Sequence, residues 1–294
     1  MAGPPFDRLR VNGYKGGPCS FTCAKINSMG REESHEEAYM RIVRFQKGKR
    51  RAYGVWEDDR IREISGSIFG EFTSGPKTHR IGEVRLLAPV EPTKILCVGL
   101  NFRDHIEEVG MPTPKYPAHF LKPLTTMAGP DDPIVIPRVA EQVDYEGELA
   151  VVIKDRIKDV PLEEAERHIL GYTCLNDVTE RRLSVAQGQL TRSKGFDTFA
   201  PFGPCIATGL DPSTLVLRTF LNGKLMQEAR VTDTIFSIPY LIHYLSQCMT
   251  LLPGDIISTG TPRGVAAMKP GDVVEVSIDG IGVLRNPVRA VQEE

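Results

Sequence analysis

The segment Val143 to Ile153 carries the residues most able to do chemistry: Glu146 and Glu148, running straight into Leu149, Ala150, Val151, Val152 and Ile153. On a strand, Glu146 and Glu148 point to one face, ~6.5–7 Å apart along the chain, and Gly147 between them leaves the other face uncrowded. Two like charges at the edge of an apolar core repel and are costly to desolvate. A shared divalent cation would relieve both penalties. Asp177 is the candidate third ligand, because it follows a strand at Tyr172 to Leu175 that a connecting helix returns to the Glu146–Glu148 strand. Three carboxylates without a neighbouring His or Cys form a hard-oxygen set, suited to Mg²⁺, Mn²⁺ or Ca²⁺ rather than Zn²⁺. On spacing alone, a solvated strand end with scattered acids is the rival reading, and the commoner one, because two glutamates two apart are frequent.

His105 and Glu108 stand three apart on a short helix, so they share a face. A carboxylate beside an imidazole orients the ring and fixes which nitrogen carries the proton, which suits general acid–base work. The rival reading is a surface His–Glu pair. Lys194 follows the acids, and an ammonium near a cation and an enolate would stabilise developing negative charge; a loop lysine is otherwise simply solvated. Thr261, in the turn Thr259-Gly260-Thr261-Pro262, can offer a hydroxyl and a backbone N–H to a carboxylate. Lys122 either neutralises the acidic cluster or is structural. The remaining histidines, at 35, 79, 119, 168 and 243, read as surface or structural.

The elements that must hold these groups are short. Among 294 residues, 27 glycines and 22 prolines argue against a helical bundle and for many strands and tight turns. Residues 1–39 lack any sustained period and read as a poorly ordered extension. Residues 40–90 read as a small β unit, with strands from Met40, Ala52 and Arg60. Residues 91–294 form the catalytic part. There, Lys94 to Gly99 is a buried strand, Asn101 an N-cap, and Phe102 to Val109 a helix closed by Gly110. The prolines at 112, 114 and 117 make the following loop a candidate lid. Pro161 opens a helix to Leu170, Asn222-Gly223 marks a hairpin, Ser237 starts a helix to Cys248, and Asp272–Ile278 pairs with Ile281–Val288.

Charge is nearly balanced, with 36 Lys plus Arg against 38 Asp plus Glu. That argues against a polycation that embraces nucleic acid. No apolar run approaches the ~18 residues of a membrane span, and no secretory signal core opens the chain. Four of the six cysteines, at 97, 174, 205 and 248, are isolated in apolar stretches, and Cys19 and Cys23 have no zinc-finger partners. A reducing, cytoplasmic setting fits.

Several motifs recur in a fixed order: Val98-Gly99-Leu100-Asn101-Phe102-Arg103-Asp104-His105, Phe120-Leu121-Lys122-Pro123, Asp144-Tyr145-Glu146-Gly147-Glu148 and Asn176-Asp177-Val178-Thr179. Lys194 to Phe199, Phe236 to Tyr240 and Gly254 to Pro262 follow. In this the chain from Lys94 to Val288 resembles the fumarylacetoacetate hydrolase family. The resemblance implies an α+β, β-rich roll of short mixed sheets with a few peripheral helices, usually a homodimer. It implies a divalent cation, Mg²⁺ or Mn²⁺, on Glu146, Glu148 and Asp177, with His105–Glu108 as catalytic dyad on a helix that orders on substrate binding. It makes Lys194 a site residue and Arg181 a substrate contact.

Family members hydrolyse carbon–carbon bonds of β-diketo acids such as acylpyruvates, decarboxylate oxaloacetate-like acids, or isomerise 2-hydroxyhepta-2,4-diene-1,7-dioate. All of these substrates carry a 2-oxo or enol carboxylate. The segment Lys194 to Phe199 is closer to the bacterial members of aromatic catabolism. One departure stands out: members often carry Gln where this chain has Ser184, with Gln187 or Gln189 as substitutes, and this touches the substrate rather than the metal site. The rival class is a non-catalytic protein that holds a structural cation and binds a dicarboxylate.

Overall fold

In a computed structural model, residues 23–26, 32–35, 39–183 and 189–292 are described. The chain divides into two compact units, Met1–Ala38 and Tyr39–Glu294. In the first, strand Cys23–Ile26 pairs antiparallel with Glu32–His35. The extension expected over 1–39 falls mostly outside the described residues, as do Cys19, Ser184 and Gln187.

The second unit begins with an antiparallel meander of Met40–Lys47, Arg50–Glu57, Arg60–Gly66 and Phe72–Arg80. It contains the three strands anticipated there and a fourth. Gly48 and Asp58 take the turns with positive φ, as hairpin geometry demands. The meander joins the rest of the unit through its first strand, because Met40–Lys47 pairs with Ala200–Thr208. The sheet then runs through Ile169–Asn176, Gly147–Ile153, Ile256–Ser258 and Ile95–Gly99 to an edge at Ala118–Lys122. Neighbours are antiparallel along this path except Ile256–Ser258 with Ile95–Gly99, which is parallel.

Both faces of this sheet are covered, which explains the unbroken apolar run after Glu148. Leu149, Val151 and Ile153 face a core shared with Leu217, Val276 and Leu284, and with Leu241, Ile242 and Leu245 of helix Ile238–Cys248. Ala150 and Val152 face the opposite core with Ile95, Cys97, Phe202 and Ile256. A five-stranded sheet, Ile134–Ile136, Gly282–Ala290, Val273–Ile278, Val216–Leu221 and Lys224–Arg230, supplies the covering layer. A small sheet of Thr179–Glu180, Val143–Asp144 and Ala267–Met268 lies where the acidic segment begins. The architecture is therefore mostly β with a few helices. No helix among the described residues is long and apolar enough to cross a membrane.

Three local expectations need correcting. The helix anticipated from Pro161 to Leu170 is a 3-10 turn, Leu162–His168. Helix Arg103–Val109 is capped by Phe102, not Asn101, because the Asn101 side chain is engaged elsewhere. Its Nδ2 donates to Thr259 O (2.7 Å) and Phe236 O (3.2 Å), and its Oδ1 accepts from Phe236 N–H at 2.8 Å. Finally, the face of the strand behind Gly147 is crowded. A Cβ on Gly147 would stand 2.0 Å from Thr219 Oγ1, so glycine is what lets the hairpin Val216–Arg230 close on this segment.

Candidate active site

Glu146 lies in the break between strands Val143–Asp144 and Gly147–Ile153, and Glu148 is the second residue of the latter. The two acids therefore converge where a regular strand starts, not along one. Asp177 follows directly on strand Ile169–Asn176, whose Asn176 is paired with Gly147. Asn176 Oδ1 accepts the Glu146 N–H (2.9 Å), and Asp177 N–H donates to Glu146 O (2.8 Å). These two bonds hold the ligand-bearing peptides side by side.

The three carboxylates are buried, and one oxygen of each lies within 4.8 Å of the others. An ion ~2.1–2.4 Å from each donor places the donors at most ~4.8 Å apart. The residues thus fit a hard divalent cation by distance and by donor type.

Cations of the protein surround the cluster. Lys194 Nζ donates to Glu146 Oε2 (2.8 Å) and Asp177 Oδ2 (2.5 Å). Lys122 Nζ donates to Asp177 Oδ1 and to Val178 O (3.1 Å). Arg181 donates through Nε to Asp144 Oδ2 (2.8 Å) and through Nη2 to Glu146 Oε1. Among the described residues Glu148 has no such hydrogen-bonded cation. Its Oε2 accepts from the Ser258 hydroxyl and from Gly260 N–H (2.8 Å).

The electrostatics follow from this division. Burial pushes the Glu146 carboxyl up, but Lys194 and Arg181 outweigh it and hold the group well below the usual carboxylate range. Burial, with Asp177 alongside, pushes Glu148 up to about 8. Lys194 is pulled down by burial and more than restored by Asp177 and Glu146, so it stays an ammonium.

His105 is buried on helix Arg103–Val109. Its Nδ1 is 3.1 Å from Glu108 Oε2, a geometry that fits an Nδ1–H donor and leaves Nε2 as the basic nitrogen. The other carboxylate oxygen, Glu108 Oε1, accepts the N–H of Gly264 at 2.9 Å. The dyad lies close enough to the acids for His105 to add to the field at Glu146.

The structure thus brings together Glu146, Glu148, Asp177, Lys194, Lys122 and Arg181, with His105–Glu108 tied to the same loop that holds Glu148. Thr261 is at the site, but its hydroxyl is committed to the protein: it donates to Gly147 O (2.9 Å) and accepts from Gln227 Nε2 (2.8 Å). Through these two bonds it braces the acidic segment. Sequence reasoning did not assign Asp144, Asn176, Ser258 or Gly260. Asp144 was signalled by the same two-residue step that marks Glu146 and Glu148; Asn176, Ser258 and Gly260 had no signal beyond their place in the motifs.

Residues 94–289 match the fumarylacetoacetate (FAA) hydrolase C-terminal family, and residues 40–89 match the Rv2993c-like N-terminal family. The chain is similar to the crystal structure of 2-hydroxyhepta-2,4-diene-1,7-dioate isomerase from Mycobacterium marinum. That likeness has 41% identity and a TM-score of 0.80, over 86% of this chain and 100% of that one. It is also similar to maleylpyruvate hydrolase from Sphingobium sp. SYK-6, solved with manganese(II) and pyruvate, at 31% identity and a TM-score of 0.73, over 86% of this chain and 100% of that one. The mitochondrial oxaloacetate tautomerase fahd2 of Xenopus laevis is 40% identical over 218 residues, 70% of this chain and 68% of that protein. With the family match spanning most of the chain and the acidic cluster at its centre, the protein belongs to the fumarylacetoacetate hydrolase family.

Proposed function

We propose that the protein is a divalent-metal-dependent enzyme acting on small 2-oxo or 2-hydroxy-dienoate dicarboxylic acids. The observation that carries this reading is one loop serving two sets of groups. Ser258 and Gly260 hold Glu148 of the acidic cluster, and Gly264 holds Glu108 of the dyad. A proton-transfer pair is thereby fixed beside a carboxylate cluster of hard-cation type.

Mg²⁺ or Mn²⁺ held by Glu146, Glu148 and Asp177 would withdraw electron density from a chelated 2-oxo carboxylate and favour negative charge on its oxygens. The chain's own groups do the rest. Lys194 adds a fixed positive charge beside Glu146 and Asp177, where charge on the substrate would develop. Arg181 holds Glu146 and Asp144 in place. His105 takes up or gives a proton at Nε2, while Glu108 holds the ring by Nδ1. In a hydrolytic reaction on an acylpyruvate, the proton comes from water that attacks the distal carbonyl. In a dienedioate isomerisation, the proton moves along the substrate with no water attack.

Tautomerisation or decarboxylation of oxaloacetate is a second reading, and the 40% identity to the Xenopus laevis tautomerase favours the first of the two. Both readings include the homodimer implied by the family resemblance, which sedimentation would check. A panel of acylpyruvates, oxaloacetate and a hydroxymuconate-type diene, followed by ultraviolet loss of the enol, separates these activities. Chelator should abolish turnover, and Mg²⁺ or Mn²⁺ should restore it. Full turnover by the metal-free protein would overturn the reading. Binding without turnover across the panel would favour a non-catalytic dicarboxylate-binding protein.

A further inference from the structure

The second oxygen of the dyad carboxylate leads to Tyr145. Glu108 Oε1 accepts the Gly264 N–H, and the carbonyl of the same Gly264 accepts the Tyr145 hydroxyl at 2.8 Å. Tyr145 N–H also donates to Ala266 O at 3.3 Å, so one residue grips the 264–266 segment through side chain and main chain. Gly264 has φ +99°, and a Cβ there would stand 2.2 Å from Met226 O. The segment is therefore pressed against strand Lys224–Arg230 on one side and gripped by Tyr145 on the other.

The Tyr145 ring is fully buried among Val143, Val178, Phe199 and Met268, and its neighbour in the chain is Glu146. Glu108 has less to hold it. It sits on a seven-residue helix with its side chain 29% exposed, and among the described residues it is held by His105 and Gly264. An exposed carboxylate on one short helix needs an external anchor to keep a single rotamer.

We propose that Tyr145 is a positioning residue for the dyad. Its hydroxyl fixes the Gly264 peptide, the peptide fixes Glu108, and Glu108 fixes the His105 ring relative to the acidic cluster. The rigid strand start that carries Glu146 thereby also sets the place of the proton-transfer pair. This rests on reading His105–Glu108 as that pair.

The test uses the full chain loaded with Mn²⁺ and three variants: Tyr145→Phe, Glu108→Gln and the double substitution. Tyr145→Phe keeps the ring and its buried contacts and removes one hydroxyl. On whichever panel substrate the wild type turns over, kcat should fall about tenfold in Tyr145→Phe, with KM within about twofold. In the Glu108→Gln background the same change should cost less than about twofold, because the hydroxyl acts through Glu108. An equal loss in both backgrounds, or an unchanged kcat in the single variant, overturns the proposal.

A second measurement does not depend on turnover. With Mg²⁺ in place of paramagnetic Mn²⁺, ring ¹⁵N spectra should show His105 in the Nδ1–H tautomer in the wild type, and a shift towards the Nε2–H tautomer in Tyr145→Phe. An unchanged ring spectrum overturns the proposal. A wild type silent on the whole substrate panel, yet with the expected ring spectra, overturns the reading of the reaction and leaves the positioning role standing.

Discussion

Gly260 lies so close to Asn101 that a Cβ on it would stand 2.8 Å from Asn101 Cβ and 3.1 Å from Val98 O. Its φ is +97°, a conformation that L side chains rarely adopt. This close approach places the Gly260 N–H on Glu148 while Asn101 ties the base of the dyad helix to Thr259 and Phe236. Gly260→Ala should therefore loosen both halves of the site. We expect a stability loss of about 2 kcal/mol in urea unfolding and a weaker Mn²⁺ isotherm by calorimetry. Wild-type values for both would mean that the loop tolerates the side chain by moving, and that its register with Asn101 is not what holds Glu148.

The three acids should respond differently to neutralisation. Among the described residues Glu148 accepts from the neutral Ser258 and Gly260 donors alone, and burial raises its carboxyl to about 8. Glu148→Gln should leave the metal-free protein as stable as the wild type. Asp177 instead accepts from Lys122 and Lys194, both buried. Asp177→Asn takes the carboxylate from Lys122 and one of two from Lys194, and should cost about 3 kcal/mol. Both variants should lose Mn²⁺ binding. Thermal melts in chelator, set beside calorimetric titrations, would show this; equal destabilisation by the two variants would contradict the division of partners described above.

What could be read from the sequence was whatever depends on local pattern. The Asn222-Gly223 hairpin, the Ser237-capped helix and the apolar run after Glu148 all appear as their residues dictate. The acidic triad was legible only in part: carboxylates beside a core demand compensation, but spacing left a solvated strand end as the rival and the ordered family motifs decided between them. The commitment of Thr261 was not legible, because Gln227, its partner, arrives from a hairpin 34 residues away in sequence. Asn101 has every property of an N-cap, yet tertiary partners at Phe236 and Thr259 outcompete the helix start. Gly147 was read as a gap, whereas Thr219 fills the space behind it. In each case the deciding partner is distant in the chain, and spacing carries no record of it.

His105 separates chemistry from metal binding. Its ring touches Glu108 but none of the three ligand carboxylates by hydrogen bond. His105→Ala should lower kcat by about 10²–10⁴ and leave the Mn²⁺ dissociation constant within about twofold. Turnover on the responsive panel substrate and calorimetry on the same preparation make the comparison. Equal losses in both would show that the helix Arg103–Val109 supports the metal site as a structural element, and the dyad assignment would fall.

Far along the same sheet, Glu63 offers a clean pH dependence of stability. It accepts from Arg50 Nη1 at 2.6 Å, Lys77 Nζ at 2.9 Å and His79 Nε2 at 2.6 Å. Burial pushes its carboxyl up, but hydrogen bonds from Arg50, His79 and Lys77 outweigh that and hold it at about 2 against an ordinary 4.5. A carboxyl depressed in the folded state contributes stability that is complete above its unfolded value and is lost as pH falls through the folded one. The window is therefore from pH ~4.5 down to ~2. Arg50 and Lys77 reach solvent, each with 58% of its side chain exposed, so screening reduces the contribution to about 1–2 kcal/mol. Glu63→Gln should be less stable than the wild type by that amount at pH 7, and the gap should close across the window. Urea unfolding of both proteins at matched pH values measures the gap directly. A constant gap from pH 7 to pH 2 would mean that Glu63 contributes by packing and neutral hydrogen bonds rather than by its charge.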